Sequence, residues 1–281
     1  KVEVTLDNVN IKAGSGSALT SKGDVTLTLK GDNHLTGGIS DTGNYGRNGI
    51  ASTGSLTISG GSTVTANGGN GGNVSGDGIS SNGSVTISGG TVKAAGGDSK
   101  DGYGGDGIRS DGGVTISGNT VNAAGGSGGK VGGYGICSFD RVAISGGTVT
   151  ANGGDGSSGG DGIRSGDIDL SGSLELTAKA GSPNGKALSQ RGNELDLDDI
   201  KDKLGPGAKV TATDANGETK QVSIPRPVEP EEPSSSSDGG SATPSTPASP
   251  LPGLTVTDKS GAVISYTSTQ SGNTLTVCVG R

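Results

Sequence analysis

Apolar side chains fall at every second position over short runs: Val85 and Ile87 alternate with Thr86 and Ser88, and Val92 and Ala94 flank Lys93. Period two with β-branched residues predicts short, half-buried strands. The runs recur. Aligning the chain on Gly-Ile gives NGIASTGSLTISGGSTVTANGG, DGISSNGSVTISGGTVKAAGG, DGIRSDGGVTISGNTVNAAGG, YGICSFDRVAISGGTVTANGG and DGIRSGDIDLSGSLELTAKAG. The anchors Ile50, Ile79, Ile108, Ile136 and Ile163 are spaced 29, 29, 28 and 27 residues apart. Looser copies anchored on Leu19 and Leu188 flank them, which makes seven units.

Each unit carries a Gly-Ile-x-Ser, a Val-Thr-Ile-Ser and a Thr-Val-x-Ala segment, punctuated by Gly, Ser, Asn or Asp. A strand this short is unstable alone and completes a parallel sheet when stacked on its neighbours. Three strands per repeat and no helical crossover predict an all-β chain: a right-handed, single-stranded parallel β-helix of about seven three-strand rungs. Propeller blades need four longer strands and about 40 residues, so they do not fit. Ile58, Ile87, Ile116 and Ile144 are expected to form one interior ladder.

Four regions are expected. Residues 1–192 read as the β-helix. Residues 193–224 read as a cap, with a short helix over Asp198–Leu204 stopped by Gly205-Pro206, then a hairpin turning near Asp214–Gly217. An open β-helix end exposes strand edges, so a cap has a physical task. Residues 225–252 hold eight of the ten prolines, Glu229, Glu231, Glu232 and the run Ser234–Ser237, and read as a solvated linker. Residues 253–281 return to strand pattern, either docked or opening a further module. The chain starts at Lys1 inside a rung, which reads as a fragment or mature piece of something longer.

Composition narrows the picture. Gly accounts for 59 of 281 residues, hydrophobic residues for 27% and aromatics for 2%, too little for a thick globular core but enough for narrow Ile, Val and Ala ladders. The glycines follow no triplet, which excludes collagen, and are expected at positive-φ corners. No apolar run approaches the roughly 20 residues of a membrane span. One histidine (His34, placed in a loop) and two cysteines (Cys137 and Cys278, paired or free) exclude zinc-finger, haem and Cys-rich designs. A net charge of -7 argues against a nucleic-acid partner.

The motif G-D-G-I-x-S-x-G-x-V-T-I-S-G-G-T-V, over roughly residues 18–190, resembles the clostridial-type β-helix carbohydrate-binding domain family. The same grammar is similar to Gly-rich surface adhesins and pectate-lyase-like enzymes. The resemblance implies a secreted protein that binds cellulose or polygalacturonate and holds calcium ions.

Several positions bear on that chemistry. Asp77, Asp106 and Asp161 precede Gly-Ile in their rungs, where Asn48 and Tyr134 stand in others. Stacked about 4.8 Å apart, such carboxylates repel unless a cation lies between them, and Ca²⁺ takes six to eight oxygens. Asp98, Asp101 and Asp155 lie just upstream. The alternative is that each Asp caps its own turn. The residue after each anchor (Thr20, Ala51, Ser80, Arg109, Cys137, Arg164, Ser189) is expected to face outward. Arg109 and Arg164, two rungs apart, suit uronate carboxylates or simply pair with Asp106 and Asp161. Tyr45 and Tyr103 share a register that suits sugar stacking, yet Val74 and Val131 occupy it too, which favours a packed corner. Thr57, Thr86 and Thr115 form a hydroxyl file, broken by Ala143 and Asp169, that suits ice binding poorly. A triad has no support, and the short Gly-rich loops are expected to build no cleft walls.

The reading expected from these features is a non-catalytic, monomeric, extracellular carbohydrate-binding module of a bacterial secreted or cell-surface protein. Its partner would be cellulose, a pectin-like or wall polysaccharide, or a host-surface ligand. A protein-binding adhesin or spacer is the alternative, and a calcium-dependent pectate-lyase-like enzyme a further one.

Overall fold

The three segment types of each repeat stack rung on rung into three sheets. In the computed structural model the Val-Thr-Ile segments form a seven-stranded sheet from Val2–Asp7 to Asp167–Leu170. The Thr-Val-x-Ala segments form a nine-stranded sheet from Asn10–Lys12 to Thr219–Ser223, and the Gly-Ile-x-Ser segments an eight-stranded sheet from Leu19–Ser21 to Asn193–Glu194. The chain is thus a parallel β-solenoid of about six turns. The structure describes residues 1–227 together with the strands Tyr266–Ser271 and Thr274–Val279.

The register follows the repeats. Ile58, Ile87, Ile116 and Ile144 pair in consecutive rungs of the first sheet, extended by Leu27 and Leu170. The anchors Leu19, Ile50, Ile79, Ile108, Ile136, Ile163 and Leu188 form the ladder of the third sheet. From Ile50 to Leu188 the anchors are wholly buried, as are the four isoleucines of the first ladder. Burying one such side chain contributes about 1.5–3 kcal/mol. A one-residue slip would turn each ladder out to solvent, which is why the register is unique.

Polar groups tie the rungs together inside. The Ser of each Gly-Ile-x-Ser is buried, and its hydroxyl donates to a carbonyl of the preceding rung: Ser81 to Gly54 at 2.7 Å, Ser110 to Gly83 at 2.7 Å, Ser138 to Gly112 at 2.6 Å. Asn33, wholly buried where later rungs carry Val64 and Val92, donates to the Lys30 and Thr63 carbonyls and accepts from the Val9 N–H. Fully satisfied groups of this kind fix register without a desolvation penalty.

Glycine does less corner work than expected. Positive φ recurs between the first and second sheets, as at Gly90 (76°) and Gly118 (73°). Most of the repeated glycines instead serve close approach. After the second sheet each rung runs out through a Gly-Gly pair and returns through Gly46-Arg47, Ser75-Gly76 or, in the later rungs, a second Gly-Gly pair, and the two arms join in one hydrogen-bonded column. Gly97 N–H donates to Gly76, Gly105 to Gly97, Gly126 to Gly105, Gly133 to Gly126 and Gly154 to Gly133, at 2.8–2.9 Å. A Cβ on Gly105 would lie 1.9 Å from the Gly76 oxygen, and one on Gly133 only 1.8 Å from that of Gly105. Backbone packs on backbone here, and no side chain fits.

At the far end a 3₁₀ helix, Leu197–Lys203, buries Leu197 and Ile200, and Asp196 caps it by accepting from the Asp198 N–H. The strand Lys209–Thr213 stacks on Glu175–Lys179 and turns back, antiparallel, into Thr219–Ser223. Asp214 holds that turn by accepting from the Asn216 and Glu218 N–H groups. His34 belongs to the strand Asp32–Thr36 rather than to a loop, because its rung keeps the parallel pairing with Thr63–Asn67. The remaining strands, Tyr266–Ser271 and Thr274–Val279, pair antiparallel in a separate unit. The linker beyond residue 227, the docking of 253–281 and the pairing of Cys278 lie outside the described residues. Among the described residues no helix is long and apolar enough to cross a membrane.

Candidate functional site

The returning arm of each rung carries two outward positions separated by glycine. The first forms a file along the solenoid axis, Tyr45, Val74, Tyr103 and Val131, ended by Ser158, in one-to-one register. The second is the file Asn48, Asp77, Asp106 and Tyr134. Between them Gly104, Gly132 and Gly133 form a floor without side chains, and the result is a groove of about 510 Å³. It is lined by Val74, Tyr103 and Val131 on one side and by Asn48, Asp77, Asp106, Arg109 and Tyr134 on the other. Glycine at the floor follows from the close backbone approach, so the groove follows from the packing. The expectation of no cleft walls is corrected: the rungs themselves are the walls.

The apolar wall is open to solvent. Tyr45 is 51% exposed, Val74 40% and Tyr103 49%, so the expected packed corner is instead an accessible stripe. Outside it there is only the end of the rung, with no further layer to pack against. Tyr45 continues the file beyond the residues that line the groove.

The polar wall is built by bonds between rungs. Asn48 Oδ1 accepts from the Asp77 N–H at 2.8 Å, Asp77 Oδ1 from the Asp106 N–H at 2.8 Å, and Asp106 Oδ1 from the Tyr134 N–H at 2.7 Å. Asp161 repeats this on Lys186 at 2.8 Å. Each Asp therefore caps the next rung's backbone rather than its own turn. Arg109 Nη1 lies 3.3 Å from Asp106 Oδ2, and its guanidinium sits 5.1 Å over the Phe139 ring. Arg164 Nη1 lies 3.7 Å from Asp161 Oδ2 and donates to Tyr134 Oη at 2.8 Å, with its guanidinium 5.0 Å over that ring.

The structure thus brings Asp77, Asp106, Arg109 and Tyr103 together at the groove and leaves Arg164 and Asp161 as a pair outside its lining. For calcium, one oxygen of each Asp is engaged by a backbone N–H, and Asp106 and Asp161 also face guanidinium groups. Among the described residues no three acidic, His or Cys side chains converge. That donor set does not by itself make a calcium site.

Two members of the outward file after the anchors are covered instead: Cys137 and Ser189 are buried. Cys137 stands in register between Arg109 and Arg164, whose long side chains, each held on an aromatic ring, flank it. Burial first, and the Asp106 charge second, push its thiol up to about 12, so it stays protonated. Sequence reasoning missed Phe139 and treated Tyr134 as an interruption. The signal available was that Tyr134 occupies the Asp register and Phe139 is the sole Phe in the chain.

Burial is the main cause raising the carboxyls of Asp77 and Asp106, and for Asp106 the neighbouring Asp77 charge adds to it, reaching about 7. A carboxyl raised in the folded state costs nothing below its unfolded value of 3.8, and the cost grows as pH rises to about 7. Stability should therefore fall between pH 4 and pH 7, by up to about 4 kcal/mol from Asp106. Asn48 already shows that an amide fits this register. Asp106→Asn should raise the melting temperature at pH 8 and change it little at pH 3.5, below the unfolded value. A lower melting temperature at pH 8 would mean that the Arg109 ion pair outweighs the burial cost.

Comparison with known proteins found no match: no family model, no curated protein and no solved structure matches this chain.

Proposed function

We propose that this solenoid is a non-catalytic module that binds an extended neutral polysaccharide along its axis. One observation carries the reading: an accessible apolar file and a polar file run parallel along the groove, each repeating once per rung. Tyr45 and Tyr103 are two rungs apart, about 10 Å, close to the disaccharide repeat of an extended β-1,4-linked glycan. Sugar rings stack on such faces, while their hydroxyls donate to carboxyl oxygens opposite. The buried carboxyls and the pairing of Arg109 with Asp106 disfavour a polyuronate and favour a cellulose-like chain over a pectin-like one. A secreted or cell-surface setting fits the resemblance to clostridial-type carbohydrate-binding domains, and calcium is not needed for this binding mode.

Isothermal titration with cello- and chito-oligosaccharides tests the reading. Tyr103→Ala should weaken binding about tenfold or more while the fold is kept, since a stacked aromatic anchor is worth on the order of 1–2 kcal/mol. Absence of binding to any neutral hexasaccharide would sink the proposal.

One observation favours a second reading. Two neighbouring carboxyls, one titrating at about 7, lie in a groove, as the acid and base of a glycosidase do. Their engagement with backbone N–H groups speaks for a structural role. Incubating oligosaccharides at pH 5–7 and assaying new reducing ends decides: the binding reading expects none.

A further inference from the structure

The apolar wall of the groove has a longer period than the fold. Sheet pairing repeats every rung, but the wall alternates Tyr45, Val74, Tyr103 and Val131 over four rungs before Ser158 ends it. Nothing in the packing requires this. All four side chains point away from the core, Tyr45, Val74 and Tyr103 about half-exposed and Val131 partly so, and the backbone column beneath them keeps one hydrogen-bond pattern whether Arg47 or a glycine stands in it. An aromatic face alternating with a small branched apolar group is therefore a surface feature, set against a partner.

Within the proposed glycan-binding groove, we infer that the ligand is a 2-acetamido β-1,4-linked glycan, of the kind found in chitin and in the glycan strands of cell walls. Successive sugars in a β-1,4 chain are flipped, so a given edge recurs only every second sugar, the same order as the wall. Tyr45 and Tyr103 then stack on alternate rings, while the acetamido methyl groups between them rest on Val74 and Val131. A valine offers a methyl group contact but no flat face and no hydrogen bond, so it suits an acetamido methyl better than a ring hydroxyl.

The opposite wall is complementary. Asp77 and Asp106 line it, each with Oδ1 bonded to the next rung's N–H and with Oδ2 left to accept, that of Asp106 also facing Arg109. An acetamido N–H donates there as a ring hydroxyl does, so the selectivity rests on the valines. The one cation lining the groove, Arg109, is held by Asp106 and Phe139, so a neutral donor-bearing chain is matched and a uronate is repelled. This inference rests on the groove being a glycan site.

Isothermal titration of the whole protein with N-acetylchitohexaose, cellohexaose and hexagalacturonate separates the two claims. The expected result is that N-acetylchitohexaose binds about tenfold or more tighter than cellohexaose, since one well-packed methyl group is worth about that factor. Hexagalacturonate should bind weakest. The double substitution Val74→Ser with Val131→Ser, both outside the buried ladders and checked for unchanged melting, should bring the ratio of the two neutral hexamers close to one. Tyr103→Ala should weaken both. Equal affinity for the two neutral hexamers, or a preference for cellohexaose, overturns the acetamido inference and leaves the glycan groove standing. No binding of any hexamer by a protein with intact melting overturns both.

Discussion

Ile116→Asp unfolds the solenoid. Ile116 is wholly buried and pairs with Ile87 on one side and Ile144 on the other. The ladder around it is aliphatic, and no basic side chain is among its register partners. Placing a carboxylate there costs on the order of 5 kcal/mol or more, comparable with the whole stability of many domains. Rungs on both sides lose their stacking surface at once, because a solenoid is stabilised by nearest neighbours. Circular dichroism and limited proteolysis read the outcome, with Ile116→Val, costing about 0.5–1.5 kcal/mol, as the conservative partner. A soluble Ile116→Asp protein with unchanged melting would remove the ladder from the account.

Gly133→Ala should be nearly as severe, although it adds a single methyl group. Its Cβ would sit 1.8 Å from the Gly105 oxygen and 2.5 Å from the carbon behind it. Both are backbone atoms held in the hydrogen-bonded column, so no rotamer change can relieve the clash. The column must part, breaking the Gly133 bond to Gly126 and the Gly154 bond to Gly133. A loss of about 4 kcal/mol or more is expected, at the top of the range for overpacking. Gly61→Ala is the control, since a Cβ there meets nothing within 4 Å and its φ is ordinary. It should stay within about 0.5 kcal/mol of the parent. Equal, small effects at both positions would mean that the arms are not in close contact.

The ladders were legible in the sequence because they are made of side chains. Period two locates Val85 and Ile87 on one face, and the recurring Gly-Ile sets which residue lies above which. The glycine column was not legible for the opposite reason. Gly76, Gly97 and Gly105 meet through backbone atoms alone, and their missing side chains look the same in a flexible loop as in a tight contact. The groove inherits that blindness, because its floor is the column. Its walls were half visible. Tyr45, Tyr103, Asp77 and Asp106 stood out by type and register, but whether Tyr103 is packed or open depends on what lies beyond it, which no local pattern encodes. The sequence offers the aspartates as calcium ligands or as caps of their own turns. The bond instead reaches the next rung, because Asp77 Oδ1 stands 2.8 Å from the Asp106 N–H, a relation that exists only once the rungs are stacked.

The central claim is that the groove between the Tyr/Val and Asp/Asn files holds a neutral glycan. The most direct measurement uses protein labelled with ¹³C in its tyrosine rings, of which there are four, titrated with N-acetylchitohexaose. The account predicts that the ring signals of Tyr45 and Tyr103, and of Tyr134 on the opposite wall, move together along one saturable curve. Saturation that leaves Tyr45 and Tyr103 unmoved, or no change at any ligand concentration, would contradict it.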